Sequence, residues 1–203
     1  LIDLTWEVLN VIGSLAFAIS GAIVATSEDY DMLGVYVLSF VTAFGGGAIR
    51  NVLLGLPVSL LWEQQTLFLL VFATISLYML FPRWIMKTWN RWGNLSDAIG
   101  LAAFSVQGAI LAAEAGHSLI AIIVAATLTG TGGGILRDVL AKRKPLVFRD
   151  EIYALWAAMA GALIGLGWIS GPWMTYALIV LIVALRMISL HYLWRLPKPR
   201  VRP

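Results

Sequence analysis

The chain has no cysteine and only two histidines among its 203 residues. That excludes disulfide staples and thiolate metal sites, and leaves the redox compartment unmarked. Charge is scarce as well: 12% of residues are Asp, Glu, Lys or Arg, where a globular domain carries about a quarter. No HExxH pair, no carboxylates at catalytic spacing and no nucleophile beside a base occur, and His117 and His191 stand isolated. An enzyme is not expected, and no cofactor or resident metal is called for. Strict apolar–polar alternation is missing too, which excludes an outer-membrane barrel.

What the chain does have is apolar sequence, 60% of all residues. It falls into seven runs, at about residues 4–25, 32–54, 64–82, 95–114, 117–141, 151–170 and 173–193. Each is close to the roughly 20 residues that an α-helix needs to cross about 30 Å of hydrocarbon. The fold class expected is an all-α integral membrane protein with seven transmembrane helices, forming one membrane domain over residues 1–203. The start, Leu1-Ile2-Asp3-Leu4, lacks a basic stretch, so the first run reads as a retained helix and not as a cleaved signal.

Loop cations set an expected orientation. Arg83, Lys87 and Arg91 follow run three, and Lys142, Arg143, Lys144 and Arg149 follow run five. The tail at 194–203 adds Arg195, Lys198, Arg200 and Arg202 on the same side. The opposite side has Asp3, Glu7, Glu63, Glu114 and His117. The positive-inside rule then puts the N-terminus outside and the C-terminus in the cytoplasm. The basic balance is a topogenic bias, and no nucleic-acid partner is implied. Trp6, Trp62, Trp84, Trp89, Trp92, Trp168, Trp173 and Trp194 lie near helix ends, where an interfacial belt is the simpler reading than a cation–π site.

Shifted by 87 residues, the chain matches itself without a gap. Gly13 falls on Gly100, Phe17 on Phe104, Gly21-Ala22-Ile23 on Gly108-Ala109-Ile110, and Thr42 on Thr129. Gly45-Gly46-Gly47-Ala48-Ile49-Arg50 falls on Gly132-Gly133-Gly134-Ile135-Leu136-Arg137. Repeat one spans 4–82 and repeat two 95–170, with the seventh helix at 173–193 outside both. A three-helix unit inverts its sense on duplication, so the two repeats cross the membrane in opposite directions. Inverted repeats of transporters place their sites near the midplane, between interrupted helices in matching positions. Here those are helices two and five.

Each glycine costs about 1 kcal/mol relative to alanine in a helix interior, so the triplets predict a kink or an unwinding, freeing carbonyls around Val41 to Ala43 and Leu128 to Gly130. Close helix packing is the other reading of the same glycines. Gly130-Thr131-Gly132-Gly133-Gly134 lacks the Lys-Ser/Thr of a phosphate loop. Ser39, Thr42, Gly46 and Arg50 share one face of helix two, and Thr127, Thr131, Gly134 and Asp138 one face of helix five. Those faces suit a hydrated path, although hydroxyls at these positions also bond their own helix backbone.

Arg50 and Arg137 are costly inside a membrane, at least about 2.5–3.5 kcal/mol each at the centre, and so call for partners unless they snorkel to the surface. Candidate partners are Asp138, which symmetry offers to Arg50 across the breaks, and Asn51, Glu7 and Asp97. Asn51 against Asp138 is an asymmetry between the repeats. Phe17 and Phe104, each flanked by glycines four residues away, form either a hydrophobic constriction or ordinary packing.

Two three-helix repeats carrying Gly-Gly-Gly-x-x-Arg on helices two and five, plus a seventh helix, resemble the prokaryotic trimeric intracellular cation (TRIC) channels, a family also labelled glycine-transporter-like or UPF0126. The resemblance spans about residues 4–193. It implies a homotrimer in membrane lipid, with a potassium-permeable pore in each protomer between kinked helices two and five, and a prokaryotic plasma (inner) membrane as its home. Potassium or sodium would be present only as permeant ions. By motif position, the pore set is Ser39, Thr42, Gly45, Gly46, Gly47, Thr127, Thr131, Gly132, Gly133 and Gly134. The gating or charge-pairing set is Arg50, Asn51, Arg137, Asp138, Phe17 and Phe104. The alternative is a carrier for a small zwitterion such as glycine, in which an arginine holds the carboxylate.

Overall fold

A computed structural model describes residues 2–80, 89–148, 152–194 and 196. These described residues form seven α-helices: α1 (Ile2–Ser27), α2 (Met32–Leu53), α3 (Gln65–Leu80), α4 (Trp89–Glu114), α5 (Leu119–Leu140), α6 (Tyr153–Gly165) and α7 (Gly171–His191). Single 3₁₀ turns at Val58–Leu61 and Leu146–Phe148 follow α2 and α5. Five helices are long and apolar enough to cross a bilayer, whereas α3 and α6 are shorter. At about 1.5 Å per residue the 13 residues of α6 span roughly 20 Å, less than the run at 151–170 led us to expect.

The repeats share local chemistry as well as helix order. Asp31 caps α2 by accepting from the Gly34 amide, and its mate Ser118 caps α5 by accepting from Ala121. Both caps satisfy an amide that a helix start otherwise leaves without a partner. At the far ends Leu54 N donates to Arg50 O, and Ala141 N to Arg137 O. Capped alike, the two helices end in the same register.

α1, α2, α4 and α5 form the centre, with α3 against α1, α6 against α4 and α5, and α7 against α4 and α6. One apolar core joins α1, α2 and α3 through residues such as Ile23, Leu38 and Ile75. A second joins α1, α4, α6 and α7 through Leu9, Val106, Ala160 and Ile182. The helix that lies outside the repeat is therefore seated on the second repeat.

Most of the cations used for orientation, namely Arg83, Lys87, Arg91, Arg149, Arg195, Lys198, Arg200 and Arg202, lie outside the residues whose side chains are described, as do those of Asp3, Trp84 and Trp89.

Candidate functional site

The site is the crossing of α2 and α5. Both helices run unbroken through their glycine triplets, so the unwinding expected there does not occur. The triplets instead let the helices meet. A Cβ on Gly46 would lie within 3.0 Å of the Thr129 carbonyl oxygen, and one on Gly133 equally close to the Thr42 carbonyl. On Gly45 it would meet Leu136 Cδ1 at 2.6 Å, and on Gly132 it would meet Ile49 Cδ1 at 2.6 Å. Thr42 facing Gly133 while Ile49 faces Gly132 means that one helix is read upward as the other is read downward. The crossing is antiparallel and reciprocal. Each triplet has a middle glycine against backbone and a first glycine against a side chain. The third is looser: on Gly47 a Cβ meets Leu61 at 3.6 Å, and on Gly134 it meets the Tyr153 hydroxyl at 3.1 Å.

Phe17 and Phe104 fill the middle of this crossing. Their ring centroids are 5.4 Å apart at 57°, and both rings are buried. Phe17 packs against Gly100 and Gly133, and Phe104 against Gly13 and Gly46. The two rings thus close the centre from either side of the pseudo-twofold axis.

Most of the hydroxyls expected to line a path bond their own helices. Thr42 Oγ1 donates to the Leu38 carbonyl at 2.6 Å, Thr127 to Ile123 at 2.7 Å and Thr131 to Thr127 at 2.7 Å. Ser39 is buried beneath α1 and its hydroxyl bonds nothing among the described residues. The three threonine hydroxyls satisfy themselves on their own helices, as Ser and Thr in apolar surroundings commonly do.

Four residues beyond each middle glycine stands an arginine, about 6 Å further along its helix. The antiparallel crossing puts Arg50 and Arg137 on opposite sides, so Arg50 does not reach Asp138 as symmetry had suggested. Arg137, 2% exposed, has its Nε on Asp138 Oδ1 at 2.8 Å and its Nη1 on Asp97 Oδ1 at 2.6 Å, with a further donation to Ser20. Asp138 Oδ2 also accepts from the Leu146 amide at 3.1 Å. Arg50, 5% exposed, has only amides: Nε and Nη2 donate to Asn51 Oδ1 at 3.1 and 2.9 Å, and Nη1 to Gln107 Oε1 at 2.7 Å. Trp6 covers the guanidinium, with its ring centroid 5.1 Å from Cζ. Trp6 is therefore a cation–π partner and not only a belt residue. Glu7 is exposed and forms no ion pair among the described residues.

Gln107, Ser20 and Trp6 were missed as site residues. The signal for two of them was present: Ser20 and Gln107 are themselves 87 apart, both polar in mid-helix. Each arginine thus bonds its own next residue and the first helix of the other repeat. A third buried arginine, Arg186 on α7, lies over the Tyr153 ring at 4.6 Å, and the Tyr153 hydroxyl is beside Gly134. This links the seventh helix to the Arg137 cluster.

A cavity of about 210 Å³ opens onto that cluster, lined by Ser20, Asn94, Asp97, Arg137, Asp138 and Arg143. Arg143 at its rim is held by Glu28 and Ser27. Across the crossing, a cavity of about 290 Å³ has largely apolar walls, including Leu9, Ile110 and Ile164, and reaches Trp6.

Residues 7–83 and 94–169 each match the family model described as Glycine transporter, and the two matches begin one repeat length apart. A UPF0126 membrane protein of Bacillus subtilis, YvgT, is 57% identical over 199 residues, covering 98% of each chain. Among solved structures, a prokaryotic TRIC channel crystallised in 0.5 M KCl superposes with a TM-score of 0.89 at 31% identity, over 96% of this chain and 100% of that one. A TRIC trimeric intracellular cation channel orthologue from Rhodobacter sphaeroides gives 0.83 at 30% identity, over 92% and 97%.

Proposed function

From the premise that the chain belongs to the Glycine transporter (UPF0126) family, which includes the prokaryotic TRIC channels, we propose that it is a passive channel for monovalent cations, chiefly potassium. The observation that carries this reading is the duplicated crossing: a polar cavity leads to a buried charge cluster, and beyond it a pair of tilted rings in contact closes the centre. In this reading each protomer holds its own path between α2 and α5. Three protomers assemble in the membrane, as the name trimeric intracellular cation channel says of the Rhodobacter sphaeroides protein. The N-terminus lies outside and the basic loops face the cytoplasm.

In this reading the rings in contact hold the path closed. Conduction requires Phe17 and Phe104 to part, because apolar rings in contact leave no room for a hydrated ion and a narrow apolar passage sheds water. With the rings apart, the Thr42 and Thr129 carbonyls at the crossing offer oxygens to replace ion hydration. Channel activity needs no chemistry beyond this, in keeping with the non-enzymatic matches.

The family description keeps a glycine carrier as the second reading. Arg137 suits it poorly, since two carboxylates already occupy its donors. Of the two triplet arginines, Arg50, whose hydrogen bonds go to amides, is the one left with charge for a substrate carboxylate. Planar-bilayer recording under a potassium gradient decides between them. Unitary currents reversing near the potassium potential are expected. Silent bilayers alongside saturable glycine uptake into liposomes would overturn the channel.

A further inference from the structure

Ser20, Asp97 and Arg137 line the polar cavity, and the repeat frame gives them Gln107, Asn10 and Arg50 as mates. The adjoining turns correspond as well. Ser27, which holds Arg143 at the polar rim, is the mate of Glu114, which lines the apolar cavity. Pseudo-symmetry therefore offers two equivalent mouths, one at each arginine. They differ most in bulk at one pair of positions: Gly93 lines the polar cavity, and its mate is Trp6.

At the Arg137 end there is no side chain at this position, and the cavity reaches the guanidinium. A Cβ on Gly93 would stand 3.3 Å from Ile23 Cγ2, itself on the cavity wall, so a larger side chain there would enter the cavity. At the Arg50 end the indole of Trp6 takes that place. Its ring centroid is 5.1 Å from Arg50 Cζ, an attraction that fixes the ring over the charge. The apolar cavity reaches Trp6, and Arg50 is absent from the described residues that line it. Behind the ring, Gln107 Nε2 is buried with no hydrogen-bond partner among the described residues, a donor that an open mouth would hydrate.

We propose that Trp6 is a plug. It seals the Arg50 mouth in series with the central Phe17–Phe104 closure, while Gly93 leaves the Arg137 mouth open to water. Release swings the indole off Arg50 into the apolar cavity of about 290 Å³ whose wall it already forms. The part of Trp6 in conduction rests on the channel reading above; the seal itself does not.

Alkylation by iodoacetamide reads the seal, because the reacting thiolate needs water and the reagent is uncharged. Cysteine is introduced at Ser20 or at Gln107, in a chain with no other. Each replacement removes one acceptor from one arginine, so the comparison is balanced. S20C should react at least about tenfold faster than Q107C. Adding W6G should bring Q107C to the S20C rate, and W6F, which keeps a ring over Arg50, should leave it protected. The reverse exchange, G93W, should protect S20C, a gain that unfolding does not imitate. In planar bilayers W6G should lengthen openings or raise the unitary current, and W6F should behave as wild type. Equal rates for S20C and Q107C, or rates that W6G and G93W leave unchanged, would overturn the seal. Wild-type currents from W6G, with Q107C unmasked, would remove Trp6 from conduction. The expected labelling with no unitary current from any variant would sink the channel reading and leave the seal standing.

Discussion

Alanine at each glycine of the α2 triplet separates a packing role from a hinge role. A hinge reading makes Gly45, Gly46 and Gly47 equivalent, because alanine stiffens the helix similarly at each. The geometry makes them unequal. At Gly46 the added methyl would lie within 3.0 Å of the Thr129 carbonyl, a backbone atom that moves only if the helices separate, by close to 1 Å. Overpacking of that kind costs about 1–3 kcal/mol, against up to about 1 kcal/mol returned by alanine's better helix propensity. At Gly45 the obstacle is the end of the Leu136 side chain, which a rotamer change moves aside. At Gly47 the nearest atoms are 3.6 and 3.8 Å away, ordinary contacts, so alanine gains its propensity with nothing to oppose it. Expected in detergent are a melting temperature lowered by several degrees for Gly46→Ala, little change for Gly45→Ala and a small rise for Gly47→Ala. Gly133→Ala should mirror Gly46→Ala. If Gly47→Ala proved as harmful to stability and conductance as Gly46→Ala, the crossing would not be why the glycines are there.

Removing each arginine should reveal the difference between their partners directly. Arg137→Ala leaves two buried carboxylates facing each other and should cost about 3–5 kcal/mol. Arg50→Ala leaves two unpaired amide oxygens, on Asn51 and Gln107, and should cost about 1–3 kcal/mol, so thermal melts should rank the first well below the second. Phe17→Ala and Phe104→Ala each empty a fully enclosed volume and should destabilise by about 3–5 kcal/mol. In bilayers the double variant should show increased open time, and an unchanged or lower open probability would remove the rings from the gate.

The duplicated frame, the seven helices and the importance of the two triplets were all legible from residue types and spacing. Their meaning at close range was not. Poor helix propensity is the same signal whether a glycine unwinds its helix or admits a neighbour, and what decides is the Thr129 or Thr42 carbonyl waiting opposite. The Arg50–Asp138 pair failed for a related reason. Symmetry identifies equivalent positions, but antiparallel helices carry equivalent residues away from their crossing in opposite directions. Arg137 found Asp97 instead, forty residues away on α4, through a helix register that no local pattern encodes. Asp97 stood among the candidate partners because acids are scarce in the chain, and nothing in the sequence around it singled it out for Arg137. The shorter α6 went unseen since apolar composition continues past Gly165 after the helix has ended.

Thr42 meeting Gly133 while Thr129 meets Gly46 has the form of an isologous contact, the kind by which two identical subunits meet across a twofold axis. In a pair of separate, identical chains such a contact compels both ends to be chemically alike, since any acid added to one end is added to the other. A single chain holding both halves is released from that constraint. Fusion keeps the matched surfaces that make the crossing fit, and lets Asp97 and Asp138 stand opposite Asn10 and Asn51. The shape inherited from twofold pairing and the charge that departs from it can therefore change independently.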